Sequence, residues 1–527
     1  MHPLTRRCCS HFGSGSLPIF RALTRHRVSR GSLNNLLYAP LPSWFARRNH
    51  DAPSESQHAD AVVIGAGPAG IAVVGNLLES APRAKVVWID RSFEGGSIGQ
   101  YYREIPSYSP AGDFLAYARA LRTFRDICDA APKPNAITAL QGFDPELTCP
   151  LTHAADMLKL VSDGLAQHGR VNTVLGIVTQ VVRSSKTKQW KVTLLPPSIG
   201  HTQPPQTYTT PMVVYCTGTR PHTNKLPSPG IPRLSLDTGL APSRLAKLLP
   251  ADGKKRTVAV IGDGHSAVLA LRNLVRLAAA AAGSHPPLLR IRWFTRRRAL
   301  RYVEDGREWG QLVNEYDGLT GEAARFARSQ LEGEKLGPPH LPPPLREGEG
   351  NGEEGKGKKR SDAARYITRF VLPEVDVGRL KGAAAERVRE AAEREAMKGD
   401  LEGVDFVLQA VGFVRARLPE TRPGLTASDG PIGKPKRLVF NGLMGSFFPD
   451  STSMDRVMGL FGAGSAFPEQ VLTSEGWRAP AVGVWRFMQF AQRIVPRWVE
   501  GTRTGGFKRR VDRDRRVEER KKYHQWF

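Results

Sequence analysis

The 527-residue sequence predicts an α/β protein in which two strand–turn–helix nucleotide folds share one chain, the second nested inside the first. Three observations predict it. Asp60-Ala-Val-Val-Ile leads into Gly65-Ala66-Gly67-Pro68-Ala69-Gly70 and then an apolar helical run. Thr257-Val-Ala-Val-Ile leads into Gly262-Asp263-Gly264-His265-Ser266-Ala267 and a second such run. Downstream, Val404–Val414 and Gly459–Gly464 return to short apolar strands that end in glycine. A strand, a glycine turn, a helix and a further strand form a βαβ unit, and such units build parallel sheets.

In chain order, residues 1–56 read as a leader. Residues 1–50 hold eight Arg, no Lys, and neither Asp nor Glu. An Arg-rich, Ser-rich, acid-free start is the composition of an organelle transit peptide, so a mitochondrial location is expected, with a cytoplasmic one as the alternative should the leader be only a disordered extension. Residues 57–225 then form the first part of the outer unit. After the Asp60 strand come a helix at Ala69–Ser80, a strand at Lys85–Asp90, and helices at Gly112–Asp129 and Pro150–His168. Strands follow at Val171–Val182 and Trp190–Leu195, and an apolar run enters a turn at Pro211–Gly218. Residues 226–400 form the inserted unit, with a helix at Ser266–Ala282 and a strand at Leu289–Thr295. Within it, residues 331–361 are rich in Pro, Gly and charge, which predicts a disordered surface insertion. Residues 401–500 return to the outer unit and close on a helix at Trp477–Val495, and 501–527 are a basic tail.

The formal charge of +26 raises nucleic acid, an anionic membrane or an anionic cofactor as partners. Its distribution decides. The first 50 residues carry +8 and the tail +6, so over half of the excess lies in these two end segments. No nucleic-acid-binding motif supports the first option, and no nucleic-acid partner is expected. The longest apolar helix, Ala267–Ala282, is broken by Arg272, Asn273 and Arg276 and falls short of the roughly 20 residues of a membrane span. The closing helix, with Trp485, Phe487, Met488 and Phe490, is amphipathic, and core packing is favoured over membrane contact. The five cysteines form neither a disulfide framework nor a C-x-x-C pair, which argues against a dithiol centre and a zinc ribbon. No metal-ligand spacing is present.

The first glycine turn has the spacing that dinucleotide binding requires. Gly65 permits the tight turn, Gly67 lets backbone approach a pyrophosphate, and Gly70 lets the helix pack against the strand. Pro68 and Ala69 open that helix, whose N-terminus offers N–H groups and a positive dipole to phosphates. Asp90, 20 residues beyond Gly70, stands where an acid accepts bonds from ribose hydroxyls. In the second turn, Gly262, Gly264 and Ser266 repeat the pattern with Ala267 as the third small residue. The strand after it ends in Arg296-Arg297-Arg298 instead of an acid. Guanidinium groups there suit a 2′-phosphate, so Arg296 and Arg297 favour NADPH over NADH; the bland alternative is surface charge. His265 either touches the phosphates, its neutral form favoured by the helix dipole, or is a mere turn residue. An acidic first unit and a basic second one suggest FAD and NADPH together.

With these motifs the chain resembles the two-dinucleotide-binding flavoproteins, the superfamily of pyridine nucleotide-disulfide reductases and flavin-dependent monooxygenases. Glu94-Gly95-Gly96 resembles the Gly-Gly segment those proteins place beside the flavin. Cys216-Thr217-Gly218-Thr219-Arg220-Pro221 resembles their A-T-G-x-x-P crossing between domains, and Asp405–Phe413 is similar to the second such strand. Gly459-Leu-Phe-Gly462-Ala463-Gly464 resembles the C-terminal flavin turn. The resemblance covers about Asp60 to Val495 and implies two Rossmann-like domains, the NAD(P) domain inserted into the FAD domain. It adds Gly95, Gly96, Gln100, Thr217, Gly218, Gly462 and Gly464 to the cofactor-binding candidates, and it brings Tyr101, Tyr102 and Tyr108 near the flavin, where ordinary aromatic packing is the alternative. Three departures matter. The redox cysteine pair of the disulfide reductases is missing, the F-x-G-x-x-x-H-x-x-x-Y/F-type signature that the better-known flavin monooxygenases carry between the two glycine motifs has no match, and Ala463 stands where many relatives have a flavin-contacting Asp.

The expectation is therefore an FAD- and NADPH-dependent oxidoreductase that passes electrons to an external acceptor, a small-molecule substrate with oxygen being slightly favoured. A quinone or small-molecule reductase, or a non-catalytic redox-sensing flavoprotein, are the alternatives. The polar, aromatic run Tyr302–Gly321 is a candidate substrate lining. The sequence identifies no catalytic acid or base.

Overall fold

The computed structural model describes residues 57–196, 205–250, 252–280, 288–303, 306–308, 311–313, 318–336, 361–375, 382–424, 438–450, 453, 455–472 and 478–503. The leader at 1–56, most of the 331–361 insertion and the tail from 504 onward lie outside the described residues. The chain divides into two units, Met1–Pro53 and Ser54–Phe527, and the second holds every described element.

The first sheet has seven strands in the order Val439–Asn441, Ser446–Phe448, Leu460–Gly462, Val213–Tyr215, Ala61–Ile64, Val86–Asp90, Val171–Leu175. The last five are parallel, with Val63 opposite Trp88 on one side and Val214 on the other. Strand order reverses at Ala61–Ile64, the switch point where an open α/β sheet forms its crevice. Ala61, Val62, Val63 and Ile64 are all buried, because helices cover one face and a second sheet covers the other. That second sheet is a meander of Gln206–Thr210, Trp190–Leu195 and Ile177–Arg183, with short parallel edges at Gln57–His58 and Glu420–Arg422. Trp190, Val192, Tyr208 and Val62 meet in the core between the two sheets.

The inserted unit is an all-parallel sheet ordered Arg233–Leu234, Phe406–Gln409, Arg256–Ile261, Leu289–Thr295, Ile367–Val371. Its central strand alternates with period two. Val258 and Val260 face the helix His265–Ala280, whereas Ala259 and Ile261 face a cluster with Met397 and Leu401. The sequence expectation assigned Phe406–Gln409 to the returning outer part. Instead Val407 and Leu408, both fully buried, complete this inner sheet, and the chain crosses back only after Gly412. The two crossings, Thr219–Pro221 and Phe413–Arg415, pair with each other as an antiparallel ribbon.

Other boundaries shift for local reasons. The run Val171–Val182 is two strands in two sheets, broken at Gly176, where a Cβ would collide with Leu194 and Leu195. The helix expected at Gly112–Asp129 is two, Ala111–Arg119 and Arg122–Ala130, parted where Leu121 turns extended at φ −115°, ψ 150°. The closing helix begins at Val484, because Arg478–Ala481 pairs with Glu469–Leu472 as a hairpin. Its residues Met488, Phe490, Ala491, Ile494, Val495 and Trp498 are buried, and Asn76 of the helix Pro68–Ser80 bonds the Met488 sulfur at 3.5 Å. Among the described residues, no helix is long and apolar enough to cross a membrane.

Candidate functional site

Four glycine-bearing turns meet at the carboxyl ends of the first sheet. The Ala61–Ile64 strand ends at Gly65, whose φ of +114° and a Cβ-excluding contact with the Cys216 carbonyl admit only glycine. The helix Pro68–Ser80 starts immediately after, with Gly67 as N-cap, Pro68 in its first turn and no side-chain cap bond. Its leading N–H groups and positive dipole therefore face whatever lies in front of the turn. A Cβ on Gly70 would collide with the Gly65 carbonyl, so the helix approaches the strand as closely as backbone allows. Ala69 is buried beneath Gly464, where a Cβ would stand 2.7 Å from the Ala69 methyl. Gly96, at φ +70°, lies against Gly67 with the same 2.7 Å limit to its Cα, and Gly95 precedes it at φ +72°. Gly462 is enclosed by Phe467, and Ala463 N–H donates to the Tyr215 carbonyl at 3.0 Å. Gly218 sits opposite Ser465, and Thr219 Oγ1 donates to Ser465 Oγ at 3.3 Å. The buried Thr217 hydroxyl has no protein hydrogen-bond partner.

Asp90 ends the neighbouring strand and ties the loops together. Its Oδ2 accepts from the Ala66 N–H at 2.8 Å, and its Oδ1 accepts from the Ser92 and Phe93 N–H groups at 2.9 and 3.0 Å. Gln100 donates its side-chain amide to the Ser92 hydroxyl. Below the turn, Trp88 is fully buried and donates to the Gly65 carbonyl at 3.0 Å.

The inserted unit repeats this construction. Gly262 has φ +130°, and a Cβ there would collide with the Ala410 carbonyl. The fully buried Trp293 donates to the Gly262 carbonyl at 2.7 Å. Gly264 opens onto space, since a Cβ there would meet nothing within 4 Å. His265 and Ser266 begin the helix His265–Ala280. The His265 ring packs edge-on against Tyr108 of the outer unit at 5.2 Å, and its buried Nδ1 has no hydrogen-bond partner. Burial, with the Arg272 charge on the same helix, pushes its pKa down to about 4, so the ring is neutral at pH 7.

The arginines separate. Arg296 donates to Glu393 at 2.5 Å and to Glu386 at 2.9 Å, so two carboxylates on the helix Gly382–Met397 hold it. The Arg297 N–H donates to Asp263 Oδ2 at 3.2 Å, and its guanidinium lies 3.6 Å from the same carboxylate. Arg369, which the sequence reading did not single out, sits beside them. It donates to the Arg297 and Arg298 carbonyls at 2.8 and 2.7 Å and stacks over Trp293. Only the fold brings it there, because its strand lies more than 70 residues downstream.

The stretch after Gly96 docks the two units on each other. Tyr102 donates its hydroxyl to Asp237 at 2.8 Å, and burial beside that carboxylate pushes the phenol pKa up. Arg244 donates to the Gln100 carbonyl at 2.6 Å and stacks over Tyr101, while Glu104 accepts from the Ser243 N–H at 2.8 Å. Among the described residues, Cys128, Cys149 and Cys216 are buried and free, and no His, Cys, Asp and Glu cluster can hold a metal. Of the candidate substrate lining, Tyr302 and Gly318–Gly321 are described, while residues 304, 305, 309, 310 and 314–317 lie outside the described residues.

The turns fit two dinucleotides. The second glycines front open or backbone-lined space, the N-terminus of the first helix has no side-chain cap, and an orphaned Thr217 hydroxyl borders the first site. No family model matches the chain. A monooxygenase, AgnR1 of Paecilomyces divaricatus, is 36% identical over 449 residues, which is 85% of this chain and 99% of that protein. Among solved structures, a flavin monooxygenase from Stenotrophomonas maltophilia aligns at 13% identity and TM-score 0.46, covering 84% of this chain and 99% of that one. The FAD-bound cadaverine monooxygenase DfoA of Erwinia amylovora aligns at 12% and 0.49, covering 86% and 95%.

Proposed function

The chain belongs to the two-dinucleotide-binding flavoproteins, in the family of the monooxygenase AgnR1, and from that premise we propose that it is an FAD- and NADPH-dependent monooxygenase acting on a small organic substrate. The observation that carries the reading is the pair of glycine turns, each closed from behind by a buried Trp, with the second glycine fronted only by the Gly96 backbone in one and by open space in the other.

Gly67, Ala69 and Gly70 would hold the FAD pyrophosphate by backbone N–H and helix dipole, with Gly65 shaping the turn, its own N–H bonded to the Ile89 carbonyl, and Asp90 toward the ribose. Gly95, Gly96, Thr217, Gly218, Gly462 and Gly464 would border the rest of that cofactor. Gly262, Gly264, His265 and Ser266 would hold the NADPH pyrophosphate, and Arg297 and Arg369 would face the 2′-phosphate, with Arg296 behind them. Once bound, the cofactors supply hydride transfer and oxygen activation; the protein orients and insulates them. The neutral His265 adds no charge beside the phosphates. The Tyr102–Asp237 and Gln100–Arg244 bonds hold the outer and inserted parts of the fold together.

Purified full-length protein tests this. It is expected to be yellow and to lose its flavin colour rapidly with NADPH under anaerobic conditions. With labelled oxygen, product should gain one oxygen atom. Asp90→Ala should purify with at least about tenfold less flavin. A flavin unchanged by NADPH over minutes would overturn the proposal. For location, the acid-free first 50 residues support delivery to mitochondria, and a fluorescent fusion that stays cytoplasmic would refute it.

A further inference from the structure

One cleft outside the glycine turns has an unusual balance of charge. It has a volume of about 580 Å³ and is lined by Arg272, Arg276, Glu322, Arg325, Phe326, Arg328 and Ser329. Four guanidinium groups thus face one carboxylate. Arg276 donates to Glu322 Oε1 at 2.9 Å, and Arg272 Nη1 approaches the same oxygen at 2.6 Å. One carboxylate oxygen therefore serves two cations, and the lining carries a net charge of about +3.

The buried member is the telling one. The Arg272 side chain is only 4% exposed, and its other acceptor is the neutral Asn273 oxygen, at 3.1 Å. Its Nη1, though close to Glu322, makes no aligned hydrogen bond. A buried guanidinium needs charge compensation and a full set of acceptors, and here the carboxylate oxygen that compensates it is shared with Arg276. Burial accordingly lowers its pKa. Arg328 lies over the Tyr302 ring at 4.3 Å, and Phe326 adds an apolar wall.

Position links the cleft to the second glycine turn. Arg272 is seven residues along the helix that His265 opens, about 10 Å at the helical rise. Across the cleft, Gly321 opens the Gly321–Phe326 helix against Thr148 of the outer unit. The cleft therefore flanks the junction where Tyr108 meets His265.

We propose that this arginine cleft binds an organic anion with an apolar body, its acidic group seated on Arg272, Arg276 and Arg325 and its body on Phe326 and the arginine stems. This names the substrate class of the proposed monooxygenase. It rests on that reading for the ligand's fate, and not for its binding.

The test uses the full-length yellow protein, with 2-naphthoate, 2-naphthyl phosphate, the neutral methyl ester of 2-naphthoate and inorganic phosphate as probes in calorimetric titrations. At least one naphthyl anion is expected to bind, with affinity falling as salt rises, and the neutral ester is expected to bind at least about tenfold more weakly. The carboxylate and phosphate arms show which acidic group the cleft prefers. Arg276→Gln with Arg325→Gln should weaken the better probe about tenfold or more. Both side chains are exposed, so the variant folds, and its melting temperature verifies that. Equal affinity in wild type and variant, no binding by either anion, or inorganic phosphate binding as tightly as the naphthyl probes would each overturn the proposal. Failure here with a flavin that NADPH still bleaches leaves the proposed function standing. Arginine-dependent binding with an unresponsive flavin would support the cleft and sink the reaction.

Discussion

The two glycine turns are near copies in backbone and opposites in charge. In each, the first glycine has positive φ and abuts a crossing-strand carbonyl, Cys216 in one unit and Ala410 in the other. In each, a fully buried Trp at the same strand position donates to that glycine's carbonyl. A carboxylate bridges the turn and the loop after the second strand in both, but its origin is exchanged. In the outer unit the strand-end Asp90 accepts from the Ala66 N–H; in the inserted unit the turn residue Asp263 accepts from the Arg297 N–H. The bridge keeps its geometry while the acid moves from the strand end to the turn. That move leaves the strand end of the inserted unit to Thr295 and arginines. The same scaffold can thus be tuned for a free ribose hydroxyl or for a phosphate by relocating one carboxylate.

The largest effects should come from breaking what the turns share. Gly65→Ala or Gly262→Ala puts a Cβ into a backbone carbonyl at positive φ, which cannot relax, and should cost about 3 kcal/mol or more. Gly264→Ala meets nothing within 4 Å, so its stability should change by less than about 1 kcal/mol while NADPH affinity falls. Urea midpoints and NADPH titrations of the three variants check this. If Gly264→Ala unfolds the protein as Gly65→Ala does, the second glycine is structural and not a cradle.

The arginines sharpen the contrast at smaller scale. Arg296→Ala strands Glu393, whose side chain is 10% exposed, and should lower stability by about 1–2 kcal/mol, discounted because Arg296 is 45% exposed. Arg297→Ala should leave stability within about 0.5 kcal/mol and reduce the preference for NADPH over NADH about tenfold. Melting temperatures and the two dissociation constants separate the roles. An unchanged cofactor preference in Arg297→Ala would remove that residue from the 2′-phosphate site.

What the sequence made legible follows the range of the interactions. The glycine turns, Asp90 and the flanking strands were readable because the forces that shape them act within about 30 residues. The role of Arg296 was not, because its carboxylates lie on a helix 90 residues later and no local pattern reveals that they hold it. Tyr102 was read as a neighbour of the flavin or as packing; its partner Asp237 is 135 residues away and fixes it at the junction. The Val171–Val182 run kept its strand propensity across Gly176, and only the approach of Leu194 shows that the chain changes sheets there. The second Trp clasp was equally invisible, since Trp293 looks like any buried strand residue until the Gly262 carbonyl is placed above it.

The smallest expected effect concerns His265, a turn residue whose titration is in reach of experiment. Folding lowers its pKa from 6.5 to about 4, through burial first and Arg272 second. A depressed pKa means that the unfolded chain binds the proton more readily, so the neutral ring's contribution is fully present above pH 6.5. That contribution fades as pH falls from 6.5 toward 4. His265→Asn removes the titration, so melting temperatures of wild type and variant should diverge in slope between pH 6.5 and 4 and run parallel above it. The outer turn has no histidine at the matching position, where Pro68 stands, and so no acid sensitivity of this kind. Parallel slopes through the whole range would show that the His265 ring is hydrated when the protein is folded. The Tyr108 contact would then be an open one, and the junction between the units looser than the geometry implies.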